Sequence, residues 1–551
     1  MLTPPPRPDR AALLADLGDS SFDVLVIGGG INGAGIARDA ALRGLRVALV
    51  ERDDFASGTS SRSSRLVHGG VRYLEHREFA LVFESSRERR TLLRIAPHLV
   101  RPLAFTWPVY SRARIRRWQL AAALTLYDAL ALFRNVQRHV RLSAAALLAR
   151  EPRLRRDGLR GGARYYDAAT DDARLTLTTA LSARDAGAVL LTHAAVIALA
   201  REGERVCGAT VHDMVSRATI DVRARCVVNA TGPWSDEVGA LTGAHGAHGV
   251  RGSKGVHIAV PRERVGNVDA LTLLAPQDGR VMFVLPAGDF AIIGTTDSYE
   301  DVSPEQVRAT AADVDYLLAA ANHYFPASAL HRGDVIAAWA GLRPLAAGTS
   351  GGSDPGAASR EHAIVESPRG LVTVTGGKLT TYRSMSAAVV DAVQRALGDE
   401  PAPSRTATLP LPGGDACDVA HELAAATGAT QDAAVAARLV HAHGTAWRDV
   451  WALAESDAAL AARVNPARPY VLAELRYAVA HELALTLGDL LIRRVPLAFE
   501  LRDNGRAAAR RIAPLVAQWL GWDAAEAARA VDDFDAEVSR VFTVNDATGA
   551  A

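Results

Sequence analysis

Gly28-Gly29-Gly30-Ile31-Asn32-Gly33 has the G-x-G-x-x-G spacing of a turn that holds a pyrophosphate, directly after the apolar run Phe22 to Ile27. In such a turn Gly28 permits the tight bend, Gly30 lets backbone approach the phosphates, and Gly33 lets helix and strand pack closely. The helix opening here, with Asn32 in its first turn, offers free N–H groups and a partial positive charge to an anion. Glu51 closes the next strand 18 residues after Gly33, where it can accept hydrogen bonds from ribose hydroxyls. A glycine-rich turn that binds nothing is the plain alternative; the strand, the helix and the terminal acid together argue against it.

Two later segments favour FAD over NAD. Asn229-Ala230-Thr231-Gly232-Pro233-Trp234 and Thr375-Gly376-Gly377-Lys378 each follow a strand candidate, and small residues at strand ends let backbone approach an extended cofactor. Thr231, Gly232, Gly377, Lys378, Leu379 and Thr380 join the cofactor set on that ground. Ser60, Ser61 and Ser64, about ten residues after Glu51, can donate hydroxyls to phosphate or to a flavin ring edge.

These residues need elements to position them. Phe22 to Ile27, a helix from about Asn32 to Arg43 and a strand from Arg46 to Val50 make a βαβ start. Further buried strands are expected at Arg225 to Asn229, Val281 to Leu285, Phe290 to Gly294 and Leu371 to Thr375. Their wide scatter predicts a Rossmann-type FAD-binding domain (about 21–75, 160–245 and 341–400) interleaved with a mixed α+β substrate domain (about 76–159 and 246–340). Residues 1–20 read as a disordered lead-in and Gly348 to Gly356 as a loop. Ser303-Pro304-Glu305-Gln306 reads as a capping box opening a helix to about Phe325. A Pro/Gly linker at 401–414 precedes an all-helical C-terminal cap at 415–551.

Composition narrows the function classes. Apolar residues make up 49% and charged residues 22%, the balance of a folded soluble protein. A net charge of +1 gives no global attraction to nucleic acid or anionic lipid, and no nucleic-acid-reading motif appears. Three cysteines without a C-x-x-C pair exclude a disulfide framework and suit a reducing cytoplasm. No secretory core and no run of about 18 apolar residues is found, so no spanning helix is expected. Neither the His441/His443 nor the His245/His248 pair has a ligand set for a metal, and no nucleophile elbow is present.

Together the motifs resemble the aerobic FAD-dependent glycerol-3-phosphate dehydrogenase family. They run from Ile27 to Ile36, from Thr59 to Glu75, from Asp171 to Leu175, from Asn229 to Trp234, from Ile293 to Asp297, from Gly341 to Leu345 and from Gly376 to Arg383. The resemblance covers about residues 20–400 in consistent order and is weaker across 105–160 and the C-terminal helices, where His481 to Arg494 still matches the family's helical cap. Arg65 stands where relatives often carry Lys, which keeps the charge.

The resemblance implies oxidation of sn-glycerol 3-phosphate to dihydroxyacetone phosphate, with electrons passing to FAD and then to a membrane quinone. It makes Arg72 and Arg343 the clamp on the phosphate dianion, a role suited to the planar guanidinium fork. His68 becomes the candidate base near the C2 hydroxyl; a histidine that only hydrogen-bonds cofactor or backbone is the alternative. Lys378, at a helix start, would stabilise negative charge on the flavin or hold a substrate oxygen, unless it is a solvated surface lysine. Tyr73 would offer its hydroxyl to substrate or pack on the flavin.

A quinone acceptor requires reaching the bilayer without crossing it. Arg112, Arg114, Arg116 and Arg117 beside Trp118 and an apolar stretch to Phe133 suit an interfacial anchor; a buried amphipathic helix explains the same pattern equally well. The expected setting is cytoplasmic, peripheral on the inner membrane, with a homodimer left open. Three rival readings stand: a glycerol-3-phosphate oxidase using oxygen, an amine or amino-acid oxidase of the same fold, and a non-catalytic flavoprotein.

Overall fold

A computed structural model describes residues 9–75, 77–243, 250–300, 302–346, 362–366 and 369–546. The Gly348 to Gly356 loop and the His245/His248 pair lie outside them.

Ser21–Ile27 pairs in parallel with Val47–Val50 on one side and with Thr219–Asn229 on the other. Val189–Leu191 and Leu371–Thr375 extend this parallel sheet, and Ala363–Glu366 adds an antiparallel edge. Where its central strands run side by side they are apolar, at Val24 to Ile27, Val47 to Val50 and Cys226 to Val228, because a parallel sheet is covered on both faces there. Helices Ile31–Leu42, Asp172–Asp185 and Tyr382–Leu397 pack on one face through Ala34, Ala37, Leu177, Leu181, Val389 and Val393. On the other face lies a helix where a disordered lead-in was expected. Arg10–Asp19 buries Leu14 and Leu17 against Phe22 and Leu25. Asp9 caps it by accepting from the Ala12 N–H at 3.2 Å, and Arg10 pairs with Asp213 at 2.5 Å. Two buried leucines and one ion pair over ten residues were too faint a pattern behind the proline-rich start.

The second sheet is mixed and mostly antiparallel. It runs from Ser298–Glu300 through Val250–Pro261, Phe290–Gly294, Val281–Ala287 and Ala270–Leu274 to Arg101–Tyr110, Leu159–Ala169 and Leu66–Val67. Ala337–Ala346 lies antiparallel along Val250–Pro261 over ten residue pairs, Val250↔Ala346 to Ala259↔Ala337. Leu159–Ala169 thus belongs to this sheet, and the nucleotide-side fold resumes only with Asp172–Asp185, later than the expected residue 160. The helix expected from Ser303 is also revised. Pro304–Gln306 forms a single 3-10 turn, the chain re-extends at Val307, and the true helix Ala311–Tyr324 starts at Thr310, whose hydroxyl accepts from the Asp313 N–H.

From Val419–Thr430 to Ala524–Phe542 the described chain is helical. The expected linker before it is pinned: Arg38, buried on the first nucleotide-side helix, donates to the carbonyls of Thr406, Leu409 and Pro410. The cap is fastened to the nucleotide side by charge. Asp54 is fully buried just beyond Glu51 and takes Arg493 at 2.6 Å and Arg494 at 2.6 Å. Arg174 bonds Glu482 nearby at 2.5 Å.

Candidate active site

A cavity of about 670 Å³ runs between the two sheets, a size suited to a large organic cofactor. Gly28, Gly30, Asn32, Glu51, Ser60, Ser64, His68, Tyr73, Thr231, Gly232, Arg343, Gly377, Lys378, Leu379 and Thr380 all line it, so segments scattered over the chain converge here.

Three features of its nucleotide end fit FAD. Gly28 has φ +104°, a conformation that a Cβ would strain. A Cβ on Gly33 would sit 1.9 Å from the Gly28 carbonyl oxygen, so Gly33 serves the helix–strand contact rather than the cavity wall. Glu51 accepts from the Gly29 N–H at 2.5 Å and the Asp53 N–H at 2.8 Å, which aims it along the turn. Burial lifts its carboxyl to about 7, with the two backbone donors opposing the rise. Ser60 Oγ accepts from the Ile31 N–H at 3.0 Å and so joins the turn to the serine loop. Ser61 departs from expectation: it is buried, its hydroxyl turns to the Gly58 carbonyl, and it does not line the cavity.

The other end gathers His68, Tyr73, Lys378 and Arg343. His68 and Tyr73 stack at 6.3 Å between ring centroids, and Lys378 Nζ lies 3.6 Å from the Tyr73 ring centroid. The His68–Gly70 loop is held from both sides, since His68 N–H donates to Thr380 Oγ1 at 3.1 Å and Gly69 N–H to Asp167 Oδ1 at 3.0 Å. Arg343 is fixed by Asp297 at 3.1 Å, Thr295 Oγ1 at 3.0 Å and Ser253 Oγ at 3.4 Å. Arg72 lies on the Val71–Leu74 turn beside this end, and its side chain falls outside the described residues.

Several lining groups were not singled out from sequence. His257, on Val250–Pro261, bonds Ser64 Oγ through Nε2 at 2.8 Å and stacks on Trp339 at 5.7 Å. Burial, then the charges of Arg343 and Arg65, push its imidazole down to about 3, so it is neutral. Thr295 and Asp297 belong to a motif that had carried resemblance but no role; they lie in the short link between Phe290–Gly294 and Ser298–Glu300, where no periodic pattern marks them. Phe105, Trp107, Tyr165 and Phe283 close the far wall with apolar surface.

A dinucleotide turn at strand carboxyl ends, joined to a polar pocket under a second sheet, defines a flavin-dependent oxidoreductase. Comparison agrees: a family described as "FAD dependent oxidoreductase" matches residues 23–383, and one described as "C-terminal domain of alpha-glycerophosphate oxidase" matches 404–527. "Glycerol-3-phosphate dehydrogenase 2" of Mycobacterium tuberculosis is 44% identical over 96% of this chain and 90% of its own. The human mitochondrial glycerol-3-phosphate dehydrogenase is 37% identical over 94% of this chain and 73% of its own. Among solved structures, the glycerol-3-phosphate dehydrogenase of Bacillus halodurans complexed with FAD has TM-score 0.80 and 31% identity, covering 97% of each chain. The chain therefore belongs to the FAD-dependent glycerol-3-phosphate dehydrogenase family, and FAD is its cofactor. A glycine oxidase from Geobacillus kaustophilus, at 21% identity and TM-score 0.53, shares the fold alone.

Proposed function

We propose that the protein oxidises sn-glycerol 3-phosphate to dihydroxyacetone phosphate and passes the electrons to a membrane quinone. The observation that carries the reading is Arg343, a guanidinium locked by three partners at the polar end of the cofactor cavity. A cation held in place recognises a dianion without first having to be ordered. Arg72, one residue before Tyr73, supplies the second arm of the clamp. When bound, FAD would supply the two-electron acceptor for the hydride leaving C2. The glycine turn, Glu51, Ser60, Ser64, Thr231, Gly232, Gly377, Leu379 and Thr380 hold the cofactor. His68 takes the C2 hydroxyl proton, and Lys378 balances developing negative charge.

His257 is a second reading for the base, favoured by one observation: it is a neutral cavity-lining imidazole whose Nδ1 has no hydrogen-bond partner among the described residues. A dianion bound to Arg343 would offset that cation's depression of the imidazole and make it more basic.

The test is anaerobic titration, following the flavin absorption with sn-glycerol 3-phosphate and then with glycerol. The phosphate ester should bleach the flavin and glycerol should do so poorly; equal bleaching would remove the clamp from the argument. Comparing hydrogen peroxide release with reduction of a quinone analogue separates the dehydrogenase from an oxidase.

Peripheral membrane contact is supported by the surface around helix Arg117–Leu130. No described helix is long and apolar enough to cross a membrane. Trp118 is 64% exposed, Leu132 55%, Phe133 52% and Val140 57%, with Arg112, Arg116, Arg134, Arg138 and Arg141 in the same stretch. Aromatic and aliphatic side chains among arginines suit the headgroup region of an anionic bilayer, as on the cytoplasmic face of an inner membrane. The same helix also buries Leu120, Leu124 and Tyr127, so one element serves both core and surface. Wild type should co-sediment with anionic vesicles and an Arg112/Arg114/Arg116/Arg117→Ser variant should not; equal sedimentation removes the anchor.

A further inference from the structure

A run of buried polar side chains leaves the active-site loop and ends on this arginine-rich surface. Asp167 lines the cavity, and its Oδ1 accepts from the Gly69 N–H at 3.0 Å, from the Tyr127 hydroxyl at 2.7 Å and from Arg89. Arg89, buried on Phe79–Ile95, also donates to the Tyr127 hydroxyl at 2.9 Å and, through Nη2, to Asn135 Oδ1. Asn135 Nδ2 donates in turn to Asp128 Oδ1 at 2.6 Å, and Asp128 Oδ2 bonds the His139 ring at 2.7 Å. Four side chains thus connect a backbone N–H beside His68 to a surface segment.

Two further features say that the connection bears on position and not merely on burial. A Cβ on Gly69 would lie 2.2 Å from Tyr127 Oη and 2.7 Å from Ser86 Oγ, so the loop is pressed directly onto Tyr127, which Arg89 holds. Leu132 and Phe133, three and two residues before Asn135, sit at φ +54° and +52°, a left-handed conformation that disfavours side chains. Asn135 ties that bent segment to Arg89 and Asp128, whereas the buried Arg89–Asp167 pair closes without it.

We propose that Asn135 is a positioning residue for the His68–Gly70 loop, acting through Arg89 and Asp167 on Gly69. The inference rests on the proposed oxidation of glycerol 3-phosphate, because the loop's geometry is read out by flavin reduction. Losing the hydrogen bonds to Arg89 and Asp128, of which the first lies on the route to the loop, should slow reduction at saturating substrate about three- to tenfold in Asn135→Ala. The half-saturation concentration should change little, since Arg343 is untouched. Asp167→Asn leaves one neutral acceptor oxygen where Gly69 N–H, the Tyr127 hydroxyl and Arg89 converge on a carboxylate, and should slow reduction further. The double variant should lose less than the sum of the two single losses, because both substitutions weaken the same Arg89–Tyr127–Asp167 network against which Gly69 packs.

The experiment uses holoenzyme: stopped-flow flavin reduction by sn-glycerol 3-phosphate, with FAD content, Tm and flavin reduction potential measured for each variant. Unchanged FAD content and Tm, a slower Asn135→Ala and a non-additive double variant are the expected result. A wild-type rate in Asn135→Ala, or additive losses in the double variant, overturns the proposal. If Asp167→Asn fails to hold FAD, Tyr127→Phe takes its place in the cycle. If the ester bleaches no variant, including wild type, the functional reading fails separately. The potential, which needs no substrate, then decides: a shift of the same sign in Asn135→Ala and Asp167→Asn supports the relay, and identical potentials overturn it.

Discussion

Replacing Asp54 by Ala should loosen the helical cap from the nucleotide-binding sheet. Asp54 is fully buried and accepts from Arg493 Nε at 2.6 Å and from Arg494 Nη1 and Nη2 at 2.6 and 3.0 Å. Without it the two guanidiniums fare differently. Arg493 keeps Asp489 at 2.8 Å and Glu537 at 2.5 Å. Arg494 keeps the Glu482 carbonyl at 2.7 Å and the Glu482 carboxylate only at 3.8 Å. Breaking a buried ion pair by removing one partner costs about 3–5 kcal/mol, because the remaining charge stays out of water. At about 3 °C per kcal/mol for a unit of this size, Tm should fall by roughly 10–15 °C. Thermal unfolding followed by flavin fluorescence measures it, with proteolysis of the 419–542 region as the second readout. The control is Asp391→Ala. Asp391 is 40% exposed and its partner Arg43 retains Asp39 at 2.6 Å, so that change should cost under about 1 kcal/mol. A Tm for Asp54→Ala indistinguishable from that control would refute the view that this buried charge fastens the cap.

Gly33→Ala forces a Cβ to 1.9 Å from the Gly28 oxygen and should abolish FAD retention, read as the flavin-to-protein absorbance ratio; a fully loaded variant would contradict the packing role. Arg343→Lys keeps the charge but loses the fork held by Asp297 and Thr295, so the half-saturation concentration for the phosphate ester should rise about 10- to 100-fold in steady-state assays. Acid should destabilise the fold. Burial, followed by neighbouring positive groups, holds His98 at about 3, His257 at about 3 and His441 at about 4, against 6.5 when unfolded. For such depressed groups the unfolded chain binds more protons, so their stability is complete above about pH 6.5 and is lost as pH falls toward 4, at up to about 1.4 kcal/mol per pH unit per site. His98→Leu should flatten the Tm-against-pH slope in that window, and an unaltered slope would exclude His98 from it.

How much could be read in advance depends on the range of the interaction. The glycine turn, its flanking strands and Glu51 are local: chain sterics within about 30 residues dictate them, and the structure keeps them together at one cavity end. Strands Phe290–Gly294 and Leu371–Thr375 were legible as apolar runs between turn residues. The lead-in helix and the broken segment at Ser303 were not. Two buried leucines decided the first, and a second N-cap at Thr310 decided the other.

Sequence alone determined the class of cofactor, the glycine turn between its strand and helix and, through an ordered set of motifs, the family. Only the folded chain decided which groups share an environment. Asp54 and Arg494 are 440 positions apart, Asp167 and Arg89 are 78, and Ser64 and His257 are 193. No periodicity or spacing encodes such meetings; they follow from how two interleaved sheets and a cap close on one another, and burial then sets the charge each group carries.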